Sequence, residues 1–515
     1  MVPSVGIRLD PSNKKQPLHR QLFDEVVARI QSHAFPPGYK LPATRTLAEE
    51  LGMHRNTVAR AYAELEVAGF VSSTVGRGTF VEASAVERPN GSREVDTAPV
   101  RTGLEISWPA LLSRAARSDA LGRADRQGRR SDHKAAAINL SRMQPGDQLI
   151  PEPLLRRCFT HVLAGHGLGA LSYAPAEGTP RLREQIARDL VERGVPVRTE
   201  EVIVTSGSQQ GLDLVARALL DPGDTLLVEP TTYAGAIDLF TLAGARLTPV
   251  PMDAEGPDPG ALERLVRPEV KGLYLMPNAH NPTGRTLGAE RRRALVAWSR
   301  ATGIPIIEDD YAAGIVLDES ESVPHLRALD GDVIHVSTFS KRLAPALRVG
   351  YVVAPVALRP VLMGMKRIVD LGTSAMMQHA LAEFMDRGYL RAHSSRMRQI
   401  YRAQRDTLSR ALAKFLPDSL AWHLPSHGVV LWVRLPDGVD PERVSAEAQR
   451  QGVLVGPSPL FAVGPRPEPA LRLIFSAEPE DRLIEGARRL GKAVKQVLSE
   501  RTLVPTPAPE LSEMI

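Results

Sequence analysis

Lys341 closes the run Val336-Ser-Thr-Phe-Ser-Lys341, which reads as a strand ending in small, polar residues. A lysine held beside a strand end, away from water, can lose its proton and form a Schiff base with a carbonyl compound. Earlier in the chain, Ile306-Ile-Glu-Asp309-Asp-Tyr311 is a second strand running into acidic groups. Asp309 there would hold a pyridine nitrogen protonated, which makes a bound ring an electron sink, and Tyr311 would bond that ring's phenolic oxygen. Asn281, in Asn278-Ala-His-Asn-Pro-Thr-Gly284, would donate to the same oxygen. Thr205-Ser-Gly-Ser-Gln-Gln-Gly211 joins a strand to a helix. Small residues at Ser206, Gly207 and Ser208, followed by Gln209, let backbone N–H groups and the helix N-terminus cradle a phosphate. Ser340 and Arg348 would add charge-assisted contacts to it, and Tyr233 would stack on the ring. Each piece alone has an ordinary reading as a solvated lysine, an acidic turn or a loop of turn formers. In this order, on successive strand ends, they fit one cofactor, pyridoxal 5'-phosphate (PLP).

A second chemistry sits at the N-terminal end. Thr46-Leu-Ala-Glu49 has capping-box spacing and opens a short helix that Gly52 breaks. A longer helix begins near His54, so the pair has helix-turn-helix spacing. The first turn of the longer helix carries Arg55, Asn56 and Thr57, polar side chains at the end that such proteins insert into the major groove. Arg55 suits guanine, while Asn56 and Thr57 suit adenine or phosphate. Phe70-Val71 and Thr79-Phe80-Val81 flank Gly76-Arg77-Gly78 as two strands and a tight turn, which places Arg77 at a hairpin tip, where it would enter a minor groove or touch the DNA backbone.

These groups need elements to hold them. Residues 12–82 read as three helices and the hairpin, the first helix amphipathic through Leu18, Leu22, Val26 and Ile30 and ended by Pro36-Pro37-Gly38. Residues 83–137, rich in proline, glycine, serine and charge, read as a linker. Its stretch 114–134 holds many arginines without helical periodicity, and only Ile106-Ser-Trp-Pro-Ala-Leu-Leu112 is apolar enough to dock on a domain surface. From 138 onward, β-branched runs alternate with helix-length segments: Val202–Thr205, Thr225–Val228, Leu273–Met276, Ile304–Ile307 and Val333–Val336. That alternation predicts a mainly parallel α/β sheet covered on both faces. A large subdomain over 138–355 and a smaller α+β one over 356–502 are expected, with a disordered tail at 503–515. A chain of 515 residues exceeds one ordinary domain. No apolar run is long enough to span a membrane and the N-terminus has no signal core, so a cytoplasmic protein is expected. The single cysteine, Cys158, excludes an intrachain disulfide and a multi-cysteine zinc cluster, and no metal is expected. The net charge of +5 is weak evidence for nucleic acid by itself.

Two resemblances sharpen these expectations. Leu41-Pro-Ala-Thr-Arg-Thr-Leu-Ala48, Leu51-Gly52, Arg55-Asn-Thr-Val58, Gly69-Phe70 and Gly76-Arg-Gly-Thr-Phe-Val81 closely resemble the winged helix of GntR-family regulators. The resemblance implies that Arg45, Arg55, Thr57 and the wing glycines, among them Gly78, contact operator DNA. The series Ser206-Gly-Ser-Gln-Gln210, Glu229-Pro-Thr-Thr-Tyr233, His280-Asn-Pro-Thr-Gly284, Glu308-Asp-Asp-Tyr311, Ser337-Thr-Phe-Ser-Lys341 and Leu347-Arg-Val-Gly-Tyr351 looks like fold-type I aminotransferases. By that resemblance, Tyr173 of the partner subunit reaches the phosphate and Arg472 clamps a substrate carboxylate. The two units together resemble the MocR/GabR-type regulators, which implies a head-to-tail homodimer, double-stranded operator DNA as partner and a small amine or amino acid as effector.

Three functions are compatible with these residues. The chain is a regulator sensing an amine or amino acid through an aldimine at Lys341, or an active aminotransferase with an accessory DNA-binding domain, or a protein for which PLP itself is the signal. Architecture favours the first, because a metabolic enzyme gains nothing obvious from a complete DNA reader.

Overall fold

The computed structural model of the chain describes residues 7, 9, 16–74, 78–82, 111–131, 137–318, 323–464 and 467–502. It forms two compact units, Met1–Ile106 and Ser107–Ile515.

In the first unit, α1 (Leu18–Gln31), α2 (Thr44–Glu50) and α3 (Arg55–Val67) precede an antiparallel hairpin of β1 (Val71–Thr74) and β2 (Gly78–Val81). The four-residue spacing of α1 buries Leu22, Val26 and Ile30 against Val58, Ala61 and Leu65 of α3. Tyr62 of α3 donates its hydroxyl to the Pro42 carbonyl at 3.0 Å, which fixes the entry to α2. Gly52, at φ 62, makes the left-handed turn between α2 and α3 that a side chain would resist. One expectation fails here: α2 starts at Thr44 rather than Thr46, and its N-cap, Ala43, has no side chain able to form the expected capping box.

In the second unit the segment expected to be an irregular linker contains a helix, α4 (Asp119–Ser131). Its apolar content is too low for a helical period to show. Ile106–Ala110 lie outside the described residues, and Leu111 and Leu112 are exposed rather than docked. Residues 503–515, expected as a disordered tail, also lie outside the described residues.

Beyond α4 come β3 (Val202–Thr205), α5 (Ser208–Leu219), β4 (Thr225–Val228), α6 (Ala234–Leu242), β5 (Arg246–Pro249), β6 (Val270–Leu275), β7 (Ile306–Asp310), β8 (Ile334–Thr338) and β9 (Gly350–Val353). The strands form one sheet in the order β3-β9-β8-β7-β6-β4-β5. Every neighbouring pair is parallel except those of β9, which runs antiparallel to both β3 and β8. Every residue of β3, β4, β7, β8 and β9 is buried, as a sheet covered by helices on both faces requires. Gly211 lets α5 approach closely, since a Cβ there would lie 2.9 Å from Val352 and 3.0 Å from Val336.

A smaller three-stranded antiparallel sheet joins β10 (Val430–Arg434), β11 (Gly456–Pro457) and β12 (Ala470–Ile474). It packs under the helices Tyr389–Phe415 and Glu480–Thr502 in a shared core. The boundary at 355/356 is corrected by this packing. Helix Arg359–Asp370 lies on α5, and helix Ala375–Asp386 packs on helices Glu152–His166 and Pro180–Glu192 of the large subdomain. Ile138 and Leu140, in contrast, join the small subdomain's core.

Candidate functional site

A parallel sheet exposes the carboxyl ends of its strands where the connecting loops diverge, and ligands bind there. At that edge a cavity of about 590 Å³ is lined by Ser208, Gln209, Tyr233, Asn281, Asp309, Tyr311, Ser340, Lys341, Arg348 and Arg472, with Met143, Met276 and Phe461. Ten of the residues singled out in the sequence therefore converge. Ser206 and Gly207 stand just behind the wall: the Ser206 carbonyl accepts from Arg348 Nη2 at 3.1 Å, and its hydroxyl faces Asp370 and Thr373. Tyr173 is 84 % exposed and is not among the cavity residues.

Lys341 follows β8 and is half-buried, its amine donating to the Met143 carbonyl at 2.6 Å. Burial, with the charges of Arg472 and Arg348, lowers its pKa to about 8. Asp309 sits on β7, fully inside. Burial raises its pKa to about 7, against the Tyr274 hydroxyl that donates to its Oδ2 at 2.8 Å, while neighbouring Asp310 raises it further. Its Oδ1 is buried and has no hydrogen-bond partner. An unpaired buried acceptor of this kind is costly, and a protonated pyridine nitrogen has the donor it lacks.

The phosphate end is equally specific. Gly207 (φ 91) is the N-cap of α5 and offers no side-chain cap, so the helix's first amides remain available to an anion. A Cβ on Gly207 would come within 2.8 Å of Arg348 Nη2. Ser340, buried, accepts from Thr338 Oγ1 at 3.0 Å. The Tyr233 hydroxyl donates to Gln209 Oε1 at 3.2 Å. These groups fit PLP: a lysine of lowered pKa, a carboxylate with a spare oxygen, an aromatic face and an uncapped helix end beside an arginine.

Two expected contacts are used otherwise here. The Tyr311 hydroxyl donates to the Ala279 carbonyl at 2.6 Å, and Asn281 accepts from Arg472 Nη1 at 3.0 Å. Arg472 also donates to the Ser141 carbonyl and lies 4.5 Å over the Phe461 ring, while its Nε has no partner. Burial lowers its pKa to about 10.

Sequence reasoning missed Ser141, Met143, Tyr274 and Phe461. Tyr274 had a signal, a phenol in the middle of a strand that must be buried. Met143 had none, because it arrives through the parallel pairing of Ile138–Asn139 with Val453–Leu454. On the opposite face of β7, Glu308, His325 and His335 bring possible ligand atoms within 4.8 Å of one another. Glu308 already accepts from the amides of Leu326 and Arg327 and pairs with His335 at 3.0 Å. This cluster is a buried bonded network that anchors the strand.

In the N-terminal unit, Arg45 on α2 and Arg55 and Asn56 at the start of α3 are exposed, with Thr57 half-buried. His54 caps α3, its Nδ1 accepting from the Asn56 amide at 3.2 Å. Gly78 opens β2 at φ 116, against the Lys40 side chain. Arg77 lies outside the described residues.

Comparison with known proteins agrees with both units. The family described as aminotransferase class I and II matches residues 153–490, and that described as bacterial regulatory proteins, gntR family, matches residues 18–81. The HTH-type transcriptional regulator TauR of Rhodobacter capsulatus is 32 % identical over 509 residues, 96 % of this chain and all of that protein. The 2-aminoadipate transaminase of Thermus thermophilus is 34 % identical over 363 residues, 69 % of this chain and 89 % of that one. Among solved structures, the α-aminoadipate aminotransferase LysN of Thermus thermophilus, complexed with N-(5'-phosphopyridoxyl)-L-leucine, superposes with a TM-score of 0.70 at 30 % identity, covering 77 % of this chain and all of that one. No helix among the described residues is long and apolar enough to cross a membrane.

Proposed function

The chain belongs to the class I and II aminotransferase family and carries a gntR-family DNA-binding unit ahead of that domain, and from this premise we propose that it is a transcriptional regulator whose operator binding answers to an amine or amino acid captured at PLP on Lys341. The observation that carries the reading is the convergence of Lys341 with an Asp309 whose Oδ1 is buried and unpaired. PLP supplies an aldehyde that condenses with amines and a ring that withdraws electrons.

The chain's own residues do the rest. Asp309 holds a proton at the ring nitrogen, and Tyr233 covers the ring. The amides of Ser208 and Gln209, with Ser340 and Arg348, hold the phosphate. Arg472 is aimed at an effector carboxylate, for which it would exchange its bonds to Asn281 and Ser141. Arg55, Asn56 and Thr57 read base edges in the major groove, while Arg45 and Gly78 hold backbone. A homodimer is part of the reading. Leu168, Leu171, Tyr173, Ile368 and Leu371 are each more than half exposed, apolar side chains of the kind a second copy of the chain would cover. Tyr173 of the partner subunit would then complete the phosphate site. An effector shifts DNA binding only by preferring one of two states.

The complete set of catalytic-type residues favours a second reading, a working aminotransferase. The visible absorption of the PLP-loaded protein, titrated with amines and amino acids and then with a 2-oxo acid, separates the two. For a regulator the band shifts on adding one ligand class and holds. Repeated bleaching and restoration by the oxo acid would establish turnover and displace the regulator reading.

A further inference from the structure

The helix Arg359–Asp370 is partly inside out. Ile368 is 87 % exposed, whereas Lys366 is 0 % exposed. Amphipathic helices place such residues the other way round, and a buried ammonium is costly unless its protons find acceptors. Lys366 shares its buried face with Leu362, one turn earlier, where the helix lies on α5. Its Nζ donates to Asp370 Oδ1 and Oδ2 at 2.9 and 2.8 Å, to Thr373 Oγ1 at 3.0 Å and to Gln210 Oε1 at 3.3 Å. Asp370 is also out of place by local rules, since an anion at a helix C-terminus opposes the helix dipole. Both residues make sense only through their partners outside the helix.

Those partners belong to the loop at the phosphate end of the cofactor cavity. Gln210 Nε2 donates to Asp370 Oδ2 at 2.7 Å, and Gln210 Oε1 accepts from the Ser206 amide at 2.7 Å. The Ser206 hydroxyl donates to Asp370 Oδ2 at 3.4 Å, while its carbonyl accepts from Arg348 at 3.1 Å. The amide, carbonyl and hydroxyl of Ser206 are therefore all held, immediately before the Gly207 turn that opens α5. Asp370 is pinned in turn. The Gly372 amide donates to its Oδ1 at 3.0 Å, and a Cβ on Gly372 would lie 2.9 Å from the Ala174 carbonyl oxygen. Burial raises the Asp370 pKa, but the bonds from Lys366 and Gln210 outweigh it and keep the carboxyl below its ordinary value. None of Lys366, Asp370, Gln210 and Thr373 lines the cavity itself.

We propose that Asp370 and Lys366 are positioning residues for the cofactor's phosphate. Asp370 fixes Ser206 and Gln210 from outside the cavity. Lys366 cancels a negative charge that would otherwise repel the phosphate on the far side of the same loop. A phosphate monoester carries roughly −1.5 to −2 charges near pH 7, so an uncompensated carboxylate behind its loop weakens binding directly. The pair thereby favours the phosphorylated aldehyde over the same ring without its phosphate. This rests on the reading of Lys341 as the PLP anchor.

The test uses the full-length protein and two probes, PLP and pyridoxal, the second lacking the phosphate. Dissociation constants for both are read from the imine absorption. Lys366→Met leaves Asp370 uncompensated, and is expected to weaken PLP about ten-fold or more while pyridoxal stays within about two-fold of wild type. Adding Asp370→Asn to Lys366→Met removes the charge, and is expected to bring PLP affinity back to within about three-fold of wild type. Gln210→Glu keeps Lys366 but adds a carboxylate behind the loop. It is expected to weaken PLP selectively as well, which keeps the test decisive should Lys366→Met fail to fold. Equal losses of PLP and pyridoxal, unchanged PLP affinity in these single variants, or a double variant no tighter than Lys366→Met overturns the proposal. A wild type that forms no imine with either aldehyde overturns the lysine assignment, and the proposal with it.

Discussion

Replacing Lys341 with alanine is expected to abolish the imine absorption of the PLP-loaded protein, while the fold and the DNA-binding unit remain. Lys341 is the one amine among the residues lining the cavity, so no neighbour takes over its covalent role. The same residue predicts a pH signature. Only a neutral amine attacks a carbonyl, and the Lys341 amine reaches half-neutrality at about pH 8 instead of 10.5. Covalent loading of the apoprotein is therefore expected to speed up through about pH 8 and level off above it, with roughly a tenth of the amine reactive at pH 7. Burial is the largest cause of the shift, with Arg472 and Arg348 adding to it. Removal of either cation moves the midpoint upward. A loading curve still climbing past pH 10 would mean the lysine is solvated and the cavity misassigned.

Arg55→Ala is expected to remove sequence-specific operator binding. An arginine bidentate to guanine is worth about 1–3 kcal/mol of discrimination, so affinity for the operator falls by roughly 5- to 150-fold while binding to unrelated DNA barely changes. Arg45→Ala should behave differently. A phosphate contact supports all sequences alike, so its loss weakens both DNAs together and reduces the salt dependence by about one counterion. A filter-binding series in increasing salt distinguishes the two. Equal losses on specific and unrelated DNA for Arg55→Ala would place it on the backbone and move base reading to Asn56 and Thr57.

The residues legible in the sequence share a physical property: each sits on a short strand end or turn whose local composition announces it. Lys341, Asp309, Asn281 and the Ser206–Gln209 turn are of this kind, and the seven-stranded sheet delivers them to one cavity or its rim. Arg472 is legible only through family resemblance, since nothing in Leu471-Arg-Leu-Ile-Phe475 points to a cavity. Met143 and Ser141 were hidden because long-range pairing brings them in, and no local pattern records it. Strand β9 was hidden inside a motif read for its arginine, and β5 because Arg246–Pro249, partly exposed at the sheet edge, lacks a buried run. Helix α4 escaped because its few apolar residues show no helical period, although Ala120 is buried and Arg123 pairs with Asp238 where it meets α6. The subdomain boundary was misjudged for a related reason. Helices Arg359–Asp370 and Ala375–Asp386 look like any amphipathic helices, and only packing assigns them to the large subdomain.

The central claim is that chemistry at Lys341 governs DNA binding. It is tested most directly by the dissociation constant for a selected operator, measured with apo, PLP-loaded and amino-acid-treated protein, in wild type and Lys341→Ala. The account predicts that PLP loading or one ligand class shifts the wild-type constant several-fold, and that the shift vanishes in Lys341→Ala although DNA binding itself survives. A single constant across all three wild-type states, or a shift of equal size in the alanine variant, would contradict it.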